Sequence, residues 1–151
     1  MILQHRRWIM GQAREVMDRL TAAITTADSN AIAELYAPDA VAVTPDGGEL
    51  HGRDDIAGYW RQMTEAVPDG SYESVHAYEV GNTAIDEGIF RGRNTGPIQL
   101  PTGETLPATQ KEISIRGVDF ATVDDSGHIT DYRLYFDEME FLGQLGLLPP
   151  T

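Results

Sequence analysis

The chain has 151 residues, enough for one domain with a sizeable core. Its 24 acidic against 11 basic side chains give a formal net charge of −13, which disfavours nucleic acid and anionic membrane as partners. Cysteine is absent, which excludes disulfides, thiolate catalysis and Cys-ligated zinc and suits a reducing cytoplasm.

No run of about 18 apolar residues occurs, so no membrane helix is expected. The opening MILQHRRWIMGQ lacks an apolar stretch and a small-residue cleavage site, and does not read as a signal peptide. From Trp8 to Ala27, apolar residues at Ile9, Ala13, Val16, Leu20, Ala23 and Ile24 keep helical spacing, with Arg14, Glu15, Asp18 and Arg19 on the other face. Asp28-Ser29-Asn30 breaks this helix and caps a second over Ala31–Tyr36, which Pro38 ends. Val41–Val43 reads as a short strand, Pro45–Gly48 as a turn, and Glu49–His51 as the returning strand. A third helix is expected from Arg53 to about Val67, with Ile56, Tyr59, Trp60, Met63 and Val67 as its apolar stripe.

Strands follow at Tyr72–Val80 and Ala84–Asn94, then a loop of a dozen residues marked by Asn94–Pro97 and Pro101–Gly103. The last thirty-odd residues read as strand (Ile113–Val123), tight turn at Asp124–Gly127, strand (Ile129–Phe136) and helix. Asp137 with Glu140 three residues on is a capping-box pattern, and Gly146 and Pro149-Pro150 stop the helix. Helices first and antiparallel strands after is an α+β order, and a curved sheet wrapped round helices leaves a pocket on its concave face.

Several strings, ELYAPDAV, GRDDIAGYW, GRNTG, GVDF, DSGHITDYRLYFD and QLGL, resemble the SnoaL-like (polyketide/ester cyclase-like) branch of the nuclear transport factor 2-like superfamily. They span about residues 10 to 148, so the resemblance covers nearly the whole chain as one SnoaL-like domain. It implies a cone-shaped α+β fold, three N-terminal helices packed against a curved, mostly antiparallel sheet. It also implies cofactor-independent acid/base cyclisation or isomerisation of a small hydrophobic carbonyl or ester substrate. The residues carry over unevenly. The cyclase acid/base position falls on Leu134, and a family histidine is replaced by Asn94. The isomerase base and oxyanion-hole tyrosine fall on Thr44 and Leu20. A third family position, polar in cyclases and isomerases alike, falls on Asp119.

Strand parity singles out Asp119 independently. It alternates with Ile113, Ile115 and Gly117 onto one face, and an acid on an apolar face is costly unless paired or functional. In such a setting its pKa rises and it can exchange a proton with a substrate; the bland alternative is a carboxyl bonded to backbone or to Tyr36. Asn94 and Asp137 are the other catalytic candidates, each with a competing role as turn residue and helix cap. Tyr36, Tyr59, Trp60, Met63, Phe90, Tyr132, Leu134 and Phe136 are the candidate substrate-binding residues. His5, His51, His76 and His128 are scattered without ligand spacing, and no Ser-His-Asp set or phosphate loop is present, so neither metal nor cofactor is expected.

The expected partner is a small hydrophobic ligand or substrate. A second is another copy of the chain: the opposite strand face mixes Glu112, Ser114, Arg116, Arg133 and Tyr135 with Val118 and Phe120, which suits a homodimer. The missing acid at Leu134 keeps a second function open, a non-catalytic small-molecule-binding or dimerisation module.

Overall fold

The computed structural model describes residues 11–100 and 102–148. The expectations for His5, Trp8, Ile9, Pro101 and Pro149-Pro150 lie outside them. Helix α1 runs Gln12–Thr25 and buries Ala13, Val16, Met17, Leu20 and Ala23, the apolar spacing of its sequence. Helix α2, Ser29–Leu35, starts where the Asp28 side chain accepts a hydrogen bond from the Ala31 amide. It ends three residues before Pro38, because the chain is already extended at Tyr36. Strand β1 covers Tyr36–Thr44 and is far longer than the Val41–Val43 expected. Its proline lies inside the irregularity between Tyr36 and Val41, a place where a strand tolerates a residue without an N–H.

β2 (Gly48–His51) returns beside β1, and α3 (Arg53–Ala66) follows with Ile56, Ala57 and Trp60 buried. β3 (Ser71–Val80) and β4 (Thr83–Arg93) form the next hairpin. The expected loop after Asn94 contains a small hairpin, β5 (Ile98–Gln99) with β6 (Thr105–Leu106). β7 (Glu112–Val123), β8 (Ile129–Phe136) and α4 (Glu138–Leu145) complete the chain. The main sheet has six strands in the order β2-β1-β8-β7-β4-β3, antiparallel except for β1 against β8. This is a mixed α+β fold with a curved, antiparallel-dominant sheet.

Two apolar clusters fill the concave side. One joins α1, α2 and α3 to the sheet around Met17, Leu20, Tyr36, Ile56 and Tyr132. The other gathers Val67, Ile113, Ile115 and Leu145, with Phe90, Phe136 and Phe141 packed on it. Between them the sheet has almost no side chains to offer, because Gly88 on β4 is the direct cross-strand partner of Gly117 on β7. Paired glycines on the inner face leave a gap that neither cluster fills.

Candidate functional site

That gap is a cavity of about 130 Å³, open to solvent. One water needs ~10–15 Å³, so the space suits an organic molecule. Thr25, Ala27, Pro68 and Ser71, all exposed, mark its rim between the end of α1 and the α3–β3 turn. Deeper in, α3 contributes Trp60 and Met63, β4 Phe90, β8 Tyr132, Leu134 and Phe136, and α4 Phe141. Asp119 is the acidic member of this wall. Among the described residues no lysine, arginine or histidine lines it.

The Tyr132 hydroxyl donates to Asp119 Oδ2 at 2.5 Å. Tyr132 is itself fully buried, packed edge-on by Trp60 and Tyr36 at ring distances of 5.9 and 6.1 Å. Among the described residues the other Asp119 oxygen accepts no hydrogen bond from another residue. Burial pushes the Asp119 carboxyl up to about 7; the Tyr132 hydroxyl and the Arg14 charge pull it down, and the Asp86 charge pushes it further up. An acid that titrates near neutrality, fixed by one rigid donor and open on its other side, can both accept and return a proton. Burial first, and then Asp119, holds the Tyr132 phenol far above its usual range, so it stays a donor.

Asp86 and Arg14 escape a reading of the sequence. Asp86 lies directly opposite Asp119 in the β4–β7 register, on the same inner face, and is 4% exposed. Both its oxygens are taken by the Arg14 guanidinium, Nη1 to Oδ1 at 2.6 Å and Nη2 to Oδ2 at 2.8 Å. Arg14 also binds Asp18 one turn along, and the Asp86 bond is the main reason its pKa stands above the normal range. Arg14 therefore does not lie on the solvent face with Glu15 and Arg19, as its place in α1 suggested. A signal was available: Ala84, Asp86, Gly88 and Phe90 alternate, and a carboxylate at a buried parity position requires a cation.

The structure brings Asp119, Trp60, Met63, Phe90, Tyr132, Leu134 and Phe136 to one cavity. It does not bring the other candidates there. Tyr36 lies behind the wall, fully buried, and its hydroxyl accepts from Trp60 Nε1 at 3.2 Å; the partner of Asp119 is Tyr132 instead. Tyr59 turns away and donates to Asp46 at 2.9 Å beside a second, smaller cavity of about 70 Å³. Asp137 is the N-cap of α4, accepting from the Glu140 amide at 3.1 Å, while the Glu140 carboxylate reaches Gln144 rather than closing the box.

Asn94 is 1% exposed and has no capacity left for a substrate. Its amide donates to the Ala66 and Gly96 carbonyls, and its oxygen accepts from the Thr109 amide and hydroxyl. It ties the end of α3 to the loop before β7. Asn94→Ala is expected to cost on the order of 3 kcal/mol, since four hydrogen bonds of a buried side chain are lost. Urea unfolding checks this, and a loss below about 1 kcal/mol would show that the loop closes without it. Among the described residues no group of three or more His, Asp or Glu side chains is placed to hold a metal ion.

The model of the SnoaL-like domain matches residues 17–132. The chain belongs to the SnoaL-like domain family. No curated protein matches the sequence. Among solved structures, a protein assigned as a SnoaL-like polyketide cyclase from Jannaschia sp. CCS1 superposes with TM-score 0.78 at 18% identity, over 92% of this chain and 94% of that one. IdmH, assigned as a polyketide cyclase of Streptomyces antibioticus, gives 0.71 at 24%, over 89% and 99%. A protein with a ketosteroid isomerase-like fold from Catenulispora acidiphila DSM 44928, in complex with trimethylamine, gives 0.71 at 21%, over 90% and 98%. At these identities the likeness of this SnoaL-like chain to each is one of fold. Its Leu134 occupies the position that resemblance to the cyclases assigns to the acid, and it is the direct β7–β8 partner of Asp119.

Proposed function

We propose that this SnoaL-like protein is a cofactor-independent enzyme that moves a proton at a carbon next to a carbonyl in a small hydrophobic ketone or ester, driving cyclisation or isomerisation. The observation that carries this is Asp119: a carboxyl at about 7 in an apolar cavity, oriented by Tyr132. Direct cross-strand partners have Cβ atoms ~4.5–5.5 Å apart, so an acid at 119 serves the part of the cavity that residue 134 lines. Asp119 thus takes the place of the acid missing at Leu134. With no cationic side chain among the described residues of its wall, the cavity is poorly suited to carboxylates and phosphates, and its aromatic lining favours ring systems.

The test is exchange of α-protons for deuterium, followed by NMR on a panel of cyclic ketones, β-dicarbonyls and aryl esters. Faster exchange with the wild type than with Asp119→Asn supports the enzyme. Binding of panel members without any such difference would leave the cavity as a ligand-binding module, a reading that Leu134 favours.

The packing of α1 to α4 on one sheet supports a single domain, and the absence of cysteine supports a cytoplasmic setting. The second proposed partner is another copy of the chain. On the convex face, Phe120 and Tyr135 pack edge-to-face, and Tyr135, Tyr78 and Val80 are 48%, 55% and 67% exposed. The Arg116–Glu87 and Arg133–Asp131 pairs lie on the same face, giving an apolar centre with balanced charges around it. Light scattering at tens of micromolar should return twice the chain mass, and Phe120→Glu should halve it. A single-chain mass for the wild type would end this proposal.

A further inference from the structure

Tyr72 enters the cavity because nothing on the sheet keeps it out. It sits on β3 opposite Phe90, and its ring lies over Gly88: a Cβ there would collide with the ring's Cζ and hydroxyl oxygen. Since Gly88 pairs with Gly117, the ring is carried across β4 toward β7, where Asp119 is the next inward-facing residue. The Tyr72 hydroxyl makes no hydrogen bond among the described residues. Of the other hydroxyls near this space, Ser71 lies on the exposed rim and Tyr36 lies behind the wall. Tyr132 donates to Asp119, Tyr36 accepts from Trp60, and Thr21, Thr25 and Thr64 donate to carbonyls within their own helices. A half-buried phenol lying over the cavity floor near the acid, with no partner for its O–H among the described residues, is a donor available to a ligand.

We propose that Tyr72 binds the substrate oxygen, donating its O–H to the carbonyl and stabilising the enolate formed when Asp119 removes the adjacent proton. This rests on the proton-transfer reading of Asp119. In the step, the C–H bond breaks and its proton goes to the Asp119 carboxylate. The electron pair forms the enolate C=C bond, and the carbonyl π pair moves to oxygen. The Tyr72 proton stays on Tyr72 and the hydrogen bond shortens as charge develops. Asp119 then returns its proton to the product. Burial and the neighbouring charges of Asp119, Asp86 and Glu87, opposed by Arg14, hold the phenol well above its usual range, so it remains protonated at neutral pH. The ligand class is an uncharged cyclic or aryl carbonyl compound that presents one oxygen to this end of the cavity.

The probe is 2-naphthol, a stable enol, against naphthalene, which lacks the oxygen. Both are titrated by fluorescence at pH 6, where Asp119 carries its proton as it does beside the enolate. The wild type should bind 2-naphthol roughly 5- to 10-fold tighter than naphthalene. Tyr72→Phe should remove that preference and leave naphthalene binding unchanged. Gly88→Ala, which displaces the ring without altering Tyr72 itself, should also abolish the preference, whatever it does to naphthalene binding. Retention of the preference in Tyr72→Phe overturns the assignment. Failure of the wild type to bind either compound overturns it together with the cavity reading. Asp119→Asn separates the two ideas: it should keep the naphthol preference while losing proton exchange, and equal exchange in wild type and Asp119→Asn sinks the reaction while the naphthol data judge Tyr72.

Discussion

Asp119→Asn is expected to slow α-proton exchange by about 10²–10⁴-fold, the usual loss when a positioned proton-transfer group is removed. Asparagine keeps the shape and still accepts the Tyr132 hydrogen bond, so the cavity and its affinity for uncharged ligands should persist. The wild-type rate of proton abstraction should rise with pH through about 7, as the carboxylate forms. The same residue leaves a mark on stability. Its pKa is higher folded than unfolded, so between about 4 and 7 the folded state holds the extra proton. Stability contributed by that proton is full below about 4 and is lost as pH rises through 7. The asparagine variant escapes this loss. It should exceed the wild type by on the order of 2–4 kcal/mol at pH 8 and match it near pH 4. Equal stability at both pH values would mean that Asp119 is hydrated, and the acid would have to be sought elsewhere.

The sequence reveals Asp119 because strand periodicity is simple. Ile113, Ile115, Gly117 and Asp119 share a face by alternation alone, and Tyr132, Leu134 and Phe136 do the same on the strand that pairs with it. That Ile115, Gly117 and Asp119 line one cavity with Tyr132, Leu134 and Phe136 follows once the hairpin register is right, and Gly127 at φ 86 fixes its turn. Tyr59 shows where periodicity fails. Its helical position puts it in the stripe with Trp60 and Met63, but Asp46, brought up by the β1–β2 turn, captures its hydroxyl. Asn94 and Asp137 were legible as polar residues at the right end of the fold. Whether such a residue faces a substrate or the backbone depends on partners distant in sequence: Ala66 and Thr109 for Asn94. Tyr72 was hidden for another reason. Its importance comes from side chains that are missing, at Gly88 and Gly117, and a strand pattern gives no weight to a paired absence.

Arg14→Met should destabilise the protein by about 3–5 kcal/mol at pH 7, because it leaves the Asp86 carboxylate buried without its countercharge. Methionine retains much of the apolar stem, so the loss reports charge more than packing. The double variant Arg14→Met/Asp86→Asn removes the stranded charge and should recover most of the loss, giving a coupling of at least about 2 kcal/mol in a double-mutant cycle. Simple additivity would mean that Asp86 is wet enough to stand alone. The pair also acts on the site. The Asp86 charge raises the Asp119 pKa and the Arg14 charge lowers it. Asp86→Asn alone leaves only the lowering influence, so the midpoint of the exchange-rate profile should move to lower pH. Asp119 would then ionise more readily but become a weaker base, and the maximal exchange rate should fall. A profile that stays at its wild-type midpoint in Asp86→Asn would show that the two carboxyls, though cross-strand neighbours, are screened from each other, and that burial and the Tyr132 hydrogen bond set the acid without Asp86.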